Sequence, residues 1–194
     1  MKVIFLDHDG VICLADNWGG RSKKWAQYRS ANPESSRDMG QAPVKYRFDN
    51  FDQKAIKVLN EILEETGAEI VVSSDWKRWA TVQEMGEYYE QQGIIKKPIA
   101  FTDSILYENY EDFPWHRAVD LEQTRSLEIS EYLGKNTHIT HWVAIDDLNM
   151  SLQGEGKRQW GLKNFVLTPL SNQGIKQSGI KDKVLKFLSD EKNP

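Results

Sequence analysis

Short apolar runs alternate with longer stretches of helical spacing along this chain, and that alternation predicts its fold class. Residues 2–6 read as a strand: Val3, Ile4, Phe5 and Leu6 run unbroken to Asp7, and Gly10 then opens a loop. Residues 51–66 place Ile56, Leu59, Ile62 and Leu63 on one helical face, with Gly67 as a stop signal. A compact strand follows at 69–74 around Ile70-Val71-Val72, then a helix over 78–92 closed by Gly93, then a short strand over 98–101. Helical spacing returns at 124–133, with Leu127, Ile129, Tyr132 and Leu133 as its apolar set and Gly134 after it. Strands at 142–145 and 165–167 and an amphipathic helix over 180–188 complete the pattern. Strands alternating with helices predict an α/β, three-layer, Rossmann-like domain whose parallel sheet is covered on both faces.

Two stretches break this rhythm. Residues 14–50 are punctuated by Gly19-Gly20, Asn32-Pro33, Ser35-Ser36, Gly40 and Pro43, yet they hold Trp18, Trp25, Tyr28 and Tyr46. So aromatic a segment reads as an insert or small cap after the first strand, not as a linker. Residues 103–123 form a second irregular stretch, acidic and aromatic. No internal repeat or low-complexity tract appears, and 194 residues suit one domain over 1–194 that carries the insert.

Composition narrows the function classes. Hydrophobic residues at 39%, all seven Trp among them, are enough for a core, and charged residues of both signs at 28% argue against disorder. A net charge of −4 provides no global attraction to nucleic acid or to an anionic membrane. The insert departs from that balance: residues 14–48 hold seven Lys or Arg (Arg21, Lys23, Lys24, Arg29, Arg37, Lys45, Arg47) against Asp16, Glu34 and Asp38. Basic groups interleaved with aromatic rings can grip a nucleotide or a nucleic-acid end, and can equally be a solvated face. The single cysteine, Cys13, lies in an apolar run and reads as a buried, inert thiol, which excludes an intramolecular disulfide and a Cys-rich zinc site. The first apolar run is too short for a signal peptide, and no stretch approaches membrane-spanning length. The expectation is a cytoplasmic protein with no membrane association and no evident obligate protein partner.

The candidate chemistry gathers at strand ends. Asp7 and Asp9 follow VIFL, Ser73 and Ser74 follow IVV, and Asp146 and Asp147 follow WVAI. The carboxyl ends of parallel strands share one rim, where ligands bind. Four carboxylates converging there repel one another unless a cation sits between them, and hard oxygen donors of this kind suit Mg2+. In Asp7-His8-Asp9 the two acids fall on one side of an extended segment and His8 on the other. One carboxylate can then attack phosphorus while the other serves a leaving oxygen as general acid.

These segments resemble known motifs. VIFLDHDGV resembles the first motif of the haloacid dehalogenase (HAD) superfamily, IVVSS the second and AIDD the fourth, over most of the chain from Lys2 to Leu167. The resemblance implies a HAD-like phosphatase with Asp7 as nucleophile, Asp9 as acid/base, and an aspartyl-phosphate intermediate. It also implies Mg2+ held by Asp7, the Asp9 carbonyl, Asp146 and Asp147, and phosphate binding by Ser73, with Ser74 as second choice. VLNEILEETGAEIVVSSDWKR, TRSLEISEYL and WVAIDDLNM are similar to small HAD domains found in RNA repair proteins. That likeness assigns the cationic third-motif role, and with it a phosphate-binding place, to Arg125, with Lys77 and Arg78 as rivals. A phosphorylated small molecule, a nucleotide or a nucleic-acid end is the expected substrate. Phosphoryl transfer to another acceptor uses the same residues, and a non-catalytic HAD-like binding protein is the non-enzymatic rival.

Overall fold

The structure, a computed structural model, describes residues 1–105, 121–152 and 160–189. Most of the irregular 103–123 stretch lies outside the described residues. Five strands form one sheet: β1 (Lys2–Leu6), β2 (Glu69–Val72), β3 (Pro98–Phe101), β4 (His141–Asp146) and β5 (Phe165–Leu167). Their order is β3-β2-β1-β4-β5 and every pairing is parallel. The Rossmann-like α/β expectation holds.

The two faces are built by the strands' two-residue period. Ile4, Leu6, Ile70, Val72, Val143 and Ile145 enter the larger core, with side chains of α2 (Gln53–Thr66), α3 (Val82–Gln92) and α5 (Ile180–Leu188). Val3, Phe5, Val71 and Ala144 enter a smaller core with Ile129, Tyr132 and Leu133 of α4 (Leu121–Lys135). Parallel crossovers are right-handed, so stepping outward from β1 through β2 to β3 puts α2 and α3 on one face. Turning back from β3 to β4 then puts α4 on the other. The reversal makes the β1/β4 boundary the switch point of the sheet, where the chain leaves the two strand ends in opposite directions and opens a crevice.

Three local outcomes differ from the sequence expectation. The 78–92 helix begins later, as α3 at Val82, because Thr81 and Glu84 form a reciprocal capping box. Residues Asp75–Trp79 instead form a short 3-10 helix capped by Ser74. In α4, Leu127 is exposed, while Ser126, Glu128 and Ile129 are buried, because an ion pair with Lys77 takes Glu128 inward. The insert contains a regular helix, α1 (Gly20–Ala31), in which no residue is buried. A lone 12-residue helix is marginal in water. Asp49 tethers its start by accepting from Gly19 N–H at 3.0 Å and from Arg21 N–H, and Tyr28 packs on Tyr46 at 4.7 Å.

Candidate active site

Asp7 follows β1 at the switch point, its N–H donating to Ile145 O of the neighbouring strand at 3.1 Å. That bond locks the β1 exit to the β4 exit, so Asp7 and Asp146 converge on one place. Both are buried. Arg125, projecting from α4, bridges them: its Nη1 lies 3.0 Å from Asp7 Oδ1 and 2.9 Å from Asp146 Oδ2. Asp146 also accepts from Leu148 N–H at 2.8 Å. Asp147 completes a cluster in which Asp7, Asp146 and Asp147 each offer a carboxylate oxygen, all within 4.8 Å of one another.

Gly10 makes that approach possible. Its φ of 69° lies in the left-handed region, and a Cβ there would collide with the Asp147 carboxylate. Three successive amides, of Val11, Ile12 and Cys13, donate to His8 O, and Thr168 Oγ1 donates to Gly10 O at 3.0 Å. The loop after β1 is therefore held both by these hydrogen bonds and by burial of Val11, Ile12 and Cys13 in the larger core.

Electrostatics set the demands of the cluster. Burial is the largest effect on Asp7 and Asp146 and raises both carboxyls; Arg125 opposes it, while Asp146 raises Asp7 further and Asp147 raises Asp146. Asp147 is pushed up to about 6, by burial first and then by Asp7. Three carboxylates against one guanidinium leave this crevice short of positive charge. A divalent cation with hard-oxygen preference fits that deficit and that donor set, and Asp7, Asp146 and Asp147 are the groups that could hold one.

Asp9 stands outside the carboxylate cluster. Its Oδ2 accepts from Trp76 Nε1–H at 2.8 Å, and the Cys13 thiol donates to it as well. Burial raises its carboxyl, and these two donors pull it back down. Burial also raises the Cys13 thiol, in keeping with an unreactive role. Trp76 is itself clamped, stacking on Phe48 at 4.7 Å and on Phe51 at 5.4 Å. His8 points into the larger core, where its Nε2 meets Tyr89 Oη at 2.7 Å; burial lowers it to about 3, so it stays neutral.

The two serines separate. Ser74 hydrogen-bonds the Asp7 carboxylate and caps the short helix through Trp76 N–H. Ser73 Oγ is buried without a hydrogen-bond partner among the described residues. A buried hydroxyl left unpaired costs about 1–3 kcal/mol, which a phosphoryl oxygen in the crevice would recover. Of the three candidate cations, Arg125 alone contacts Asp7. Lys77 is 2.5 Å from the buried Glu128 and 2.9 Å from Thr102 Oγ1, while the exposed Arg78 meets Asp75 at 3.5 Å.

Trp76, Asp49 and Glu128 received no role from sequence. Asp49 in Phe48-Asp49-Asn50-Phe51 carried a usable signal, since an acid between two large apolar residues is often a buried cap acceptor. Trp76, two residues past the serines, offers an indole donor beside a site crowded with acceptors.

A parallel α/β sheet with an acidic crevice at its central switch point is consistent with a Rossmann-like domain of the haloacid dehalogenase type. Within that class, the model of the HAD domain in Swiss Army Knife RNA repair proteins matches residues 3–178, and the chain belongs to this family. Membership supports phosphatase-like hydrolase chemistry. Searches of curated proteins and of solved structures found no match. No helix among the described residues is long and apolar enough to cross a membrane.

Proposed function

We propose that this chain is a magnesium-dependent phosphomonoester hydrolase acting through an aspartyl-phosphate on Asp7, on substrates that are nucleotides or polynucleotide ends. The observation that carries the reading is the Arg125 bridge between Asp7 and Asp146, with Asp147 alongside. Residues 1–194 form one catalytic unit, with 14–50 as its substrate-side cap.

Asp7 attacks phosphorus as the ionised carboxylate, and Arg125 favours that state against burial. As the new O–P bond forms, the bond to the leaving oxygen breaks and Asp9 delivers its proton to that oxygen. Asp9 suits this exchange because burial favours its protonated form while Trp76 and Cys13 hold the carboxyl in place. Asp9 then takes a proton from water, whose oxygen displaces phosphate from Asp7 and restores both carboxyls. Ser73 and Ser74 donate to phosphoryl oxygens, and Arg125 balances their charge in the transition state. Asp7, Asp146 and Asp147 would hold magnesium, which would supply the remaining positive charge the phosphoryl group needs.

The test is turnover of phosphomonoesters with magnesium and with chelator, by the natural chain and by Asp7→Asn. Activity should require the metal, and Asp7→Asn should lower it by on the order of 10⁴-fold or more while the far-UV spectrum is kept. Near-normal turnover by the variant would sink the assignment.

A further inference from the structure

Between the insert and the short helix after β2 lies a pocket of about 270 Å³ lined by Arg21, Met39, Gly40, Arg47 and Trp79. Four of these residues belong to the insert and one to the short helix after β2. The pocket is small against the ~300–1,000 Å³ that envelops a drug-sized ligand, so it has room for one planar group and not a whole substrate. Side chains three apart on a 3-10 helix eclipse. Trp79 thus follows Trp76 along one face of the Asp75–Trp79 turn, and Trp76 is the residue that reaches Asp9. Trp79 is more than half exposed (58%), which leaves its ring surface available to a ligand.

The two arginines are not equivalent. Arg47 is fully engaged: Nε donates to Ala42 O at 2.6 Å, Nη1 to Trp79 O at 3.0 Å, and Nη2 meets Glu84 Oε1 at 2.7 Å. It fastens the 39–47 segment to the backbone of Trp79 and so sets the pocket's shape. Arg21 makes no side-chain ion pair among the described residues, and its charge is felt at Asp9. The pocket therefore offers an aromatic platform at Trp79, apolar lining at Met39, and a cation that makes no ion pair among the described residues and whose charge reaches Asp9.

Resting on the phosphatase reading above, we propose that this pocket is a nucleobase subsite, with Trp79 stacking on the base next to the reacting phosphomonoester. Arg21 pairs with the negative charge of the adjoining phosphate. Any base has a flat π-face, so the subsite selects nucleotides over ribose or glycerol phosphates without reading which base is present.

The test is calorimetric binding in the Asp7→Asn background with magnesium, so that nothing is turned over. The titrants are a nucleoside monophosphate, an oligonucleotide with the same terminal phosphate, and glycerol phosphate. Changing Trp79→Ala should weaken the nucleotide by roughly 5- to 150-fold, the span of base–aromatic stacking, and Trp79→Phe by less than about 3-fold. Glycerol phosphate should bind all three proteins alike. Equal losses on nucleotide and glycerol phosphate, no loss on the nucleotide, or no nucleotide binding at millimolar concentration would each overturn the subsite. An oligonucleotide that binds tighter than the mononucleotide and depends on Trp79 supports it at chain ends; the reverse order supports it for free nucleotides. Since binding is read without turnover, Trp79-dependent nucleotide binding in a chain that hydrolyses no phosphomonoester would keep the subsite and remove only the phosphatase reading.

Discussion

The rim of the sheet and the insert that follows β1 are built on opposite principles. At the rim, Asp7, Asp146 and Arg125 are almost wholly withdrawn from water, and each is held by a strand end or a long helix. In the insert, α1 has no buried residue and depends on Asp49 and aromatic contacts for its place. Burial makes charge at the rim costly to leave unbalanced, so each substitution there should be felt in stability as well as activity. Exposure makes charge on α1 cheap, so changes there should touch substrate choice and little else. Phosphoryl chemistry needs the first kind of region and substrate selection tolerates the second.

The largest effect should come from Arg125→Ala, which leaves Asp7 and Asp146 facing one another without their shared cation. Removing one partner of a buried ion pair costs about 3–5 kcal/mol, so the metal-free variant should melt well below the natural chain. Added magnesium should recover part of the loss. A melting temperature unchanged by the substitution would mean that the rim is no more demanding than the insert.

Magnesium itself should stabilise the natural chain in a pH-dependent way. In the metal-free protein Asp147 sits near 6 against an ordinary 3.8, so the folded state keeps a proton that the unfolded state releases. That contribution is full below about pH 4 and is lost as pH rises through 6. A cation binds the ionised carboxylates, so its gain in melting temperature should be larger at pH 7.5 than at pH 5. Thermal melts with and without magnesium check this, and a gain that is flat with pH would contradict it.

Trp76→Phe is a finer probe, because it keeps the stack on Phe48 and Phe51 but removes the donor to Asp9. Without that donor the Asp9 carboxyl should rise further, moving the Asp9 limb of the pH–rate profile to higher pH, with kcat down by about tenfold. An unmoved profile would detach Asp9 from the proton transfer.

The smallest effect is expected from Lys23→Glu with Lys24→Glu on α1. Stability should change by less than about 1 kcal/mol per site, since Lys24 donates to Asn50 Oδ1 at 3.0 Å and lies over the Tyr88 ring at 5.6 Å, while Lys23 is exposed. Any loss in oligonucleotide affinity should shrink as salt is raised, which titration at two ionic strengths would reveal. A large fall in melting temperature would erase the contrast between the two regions.

Much of this was legible in sequence because the relevant signals are local. The run before Asp7, the run before Asp146 and the helix with Ile56, Leu59, Ile62 and Leu63 carry their period with them, and tertiary contacts reinforce it. Strand-end acids in a parallel sheet also share a rim, so Asp7, Asp9, Asp146 and Asp147 could be grouped before any coordinates, although the Asp9 carboxylate turns to Trp76 and leaves the cluster to the other three. Less legible were residues whose role depends on a distant partner. Leu127 fitted the apolar set of α4, yet Glu128 is the residue turned inward, because Lys77 lies 51 positions away in sequence and 2.5 Å away in space. The insert looked irregular because α1 has almost no apolar face to announce a helix.

By itself the sequence determined the α/β class, the strand ends that carry acids, and the resemblance that named the chemistry, since all three are written in neighbouring residues. Only the tertiary structure decided which cation meets Asp7, which serine touches it and which is left free, and what holds Asp9. It alone also brought Trp79 and Arg21 together into one pocket. Those outcomes depend on how far each strand end and helix start reaches across the switch point, and a reach in three dimensions is not encoded in any short window of the chain.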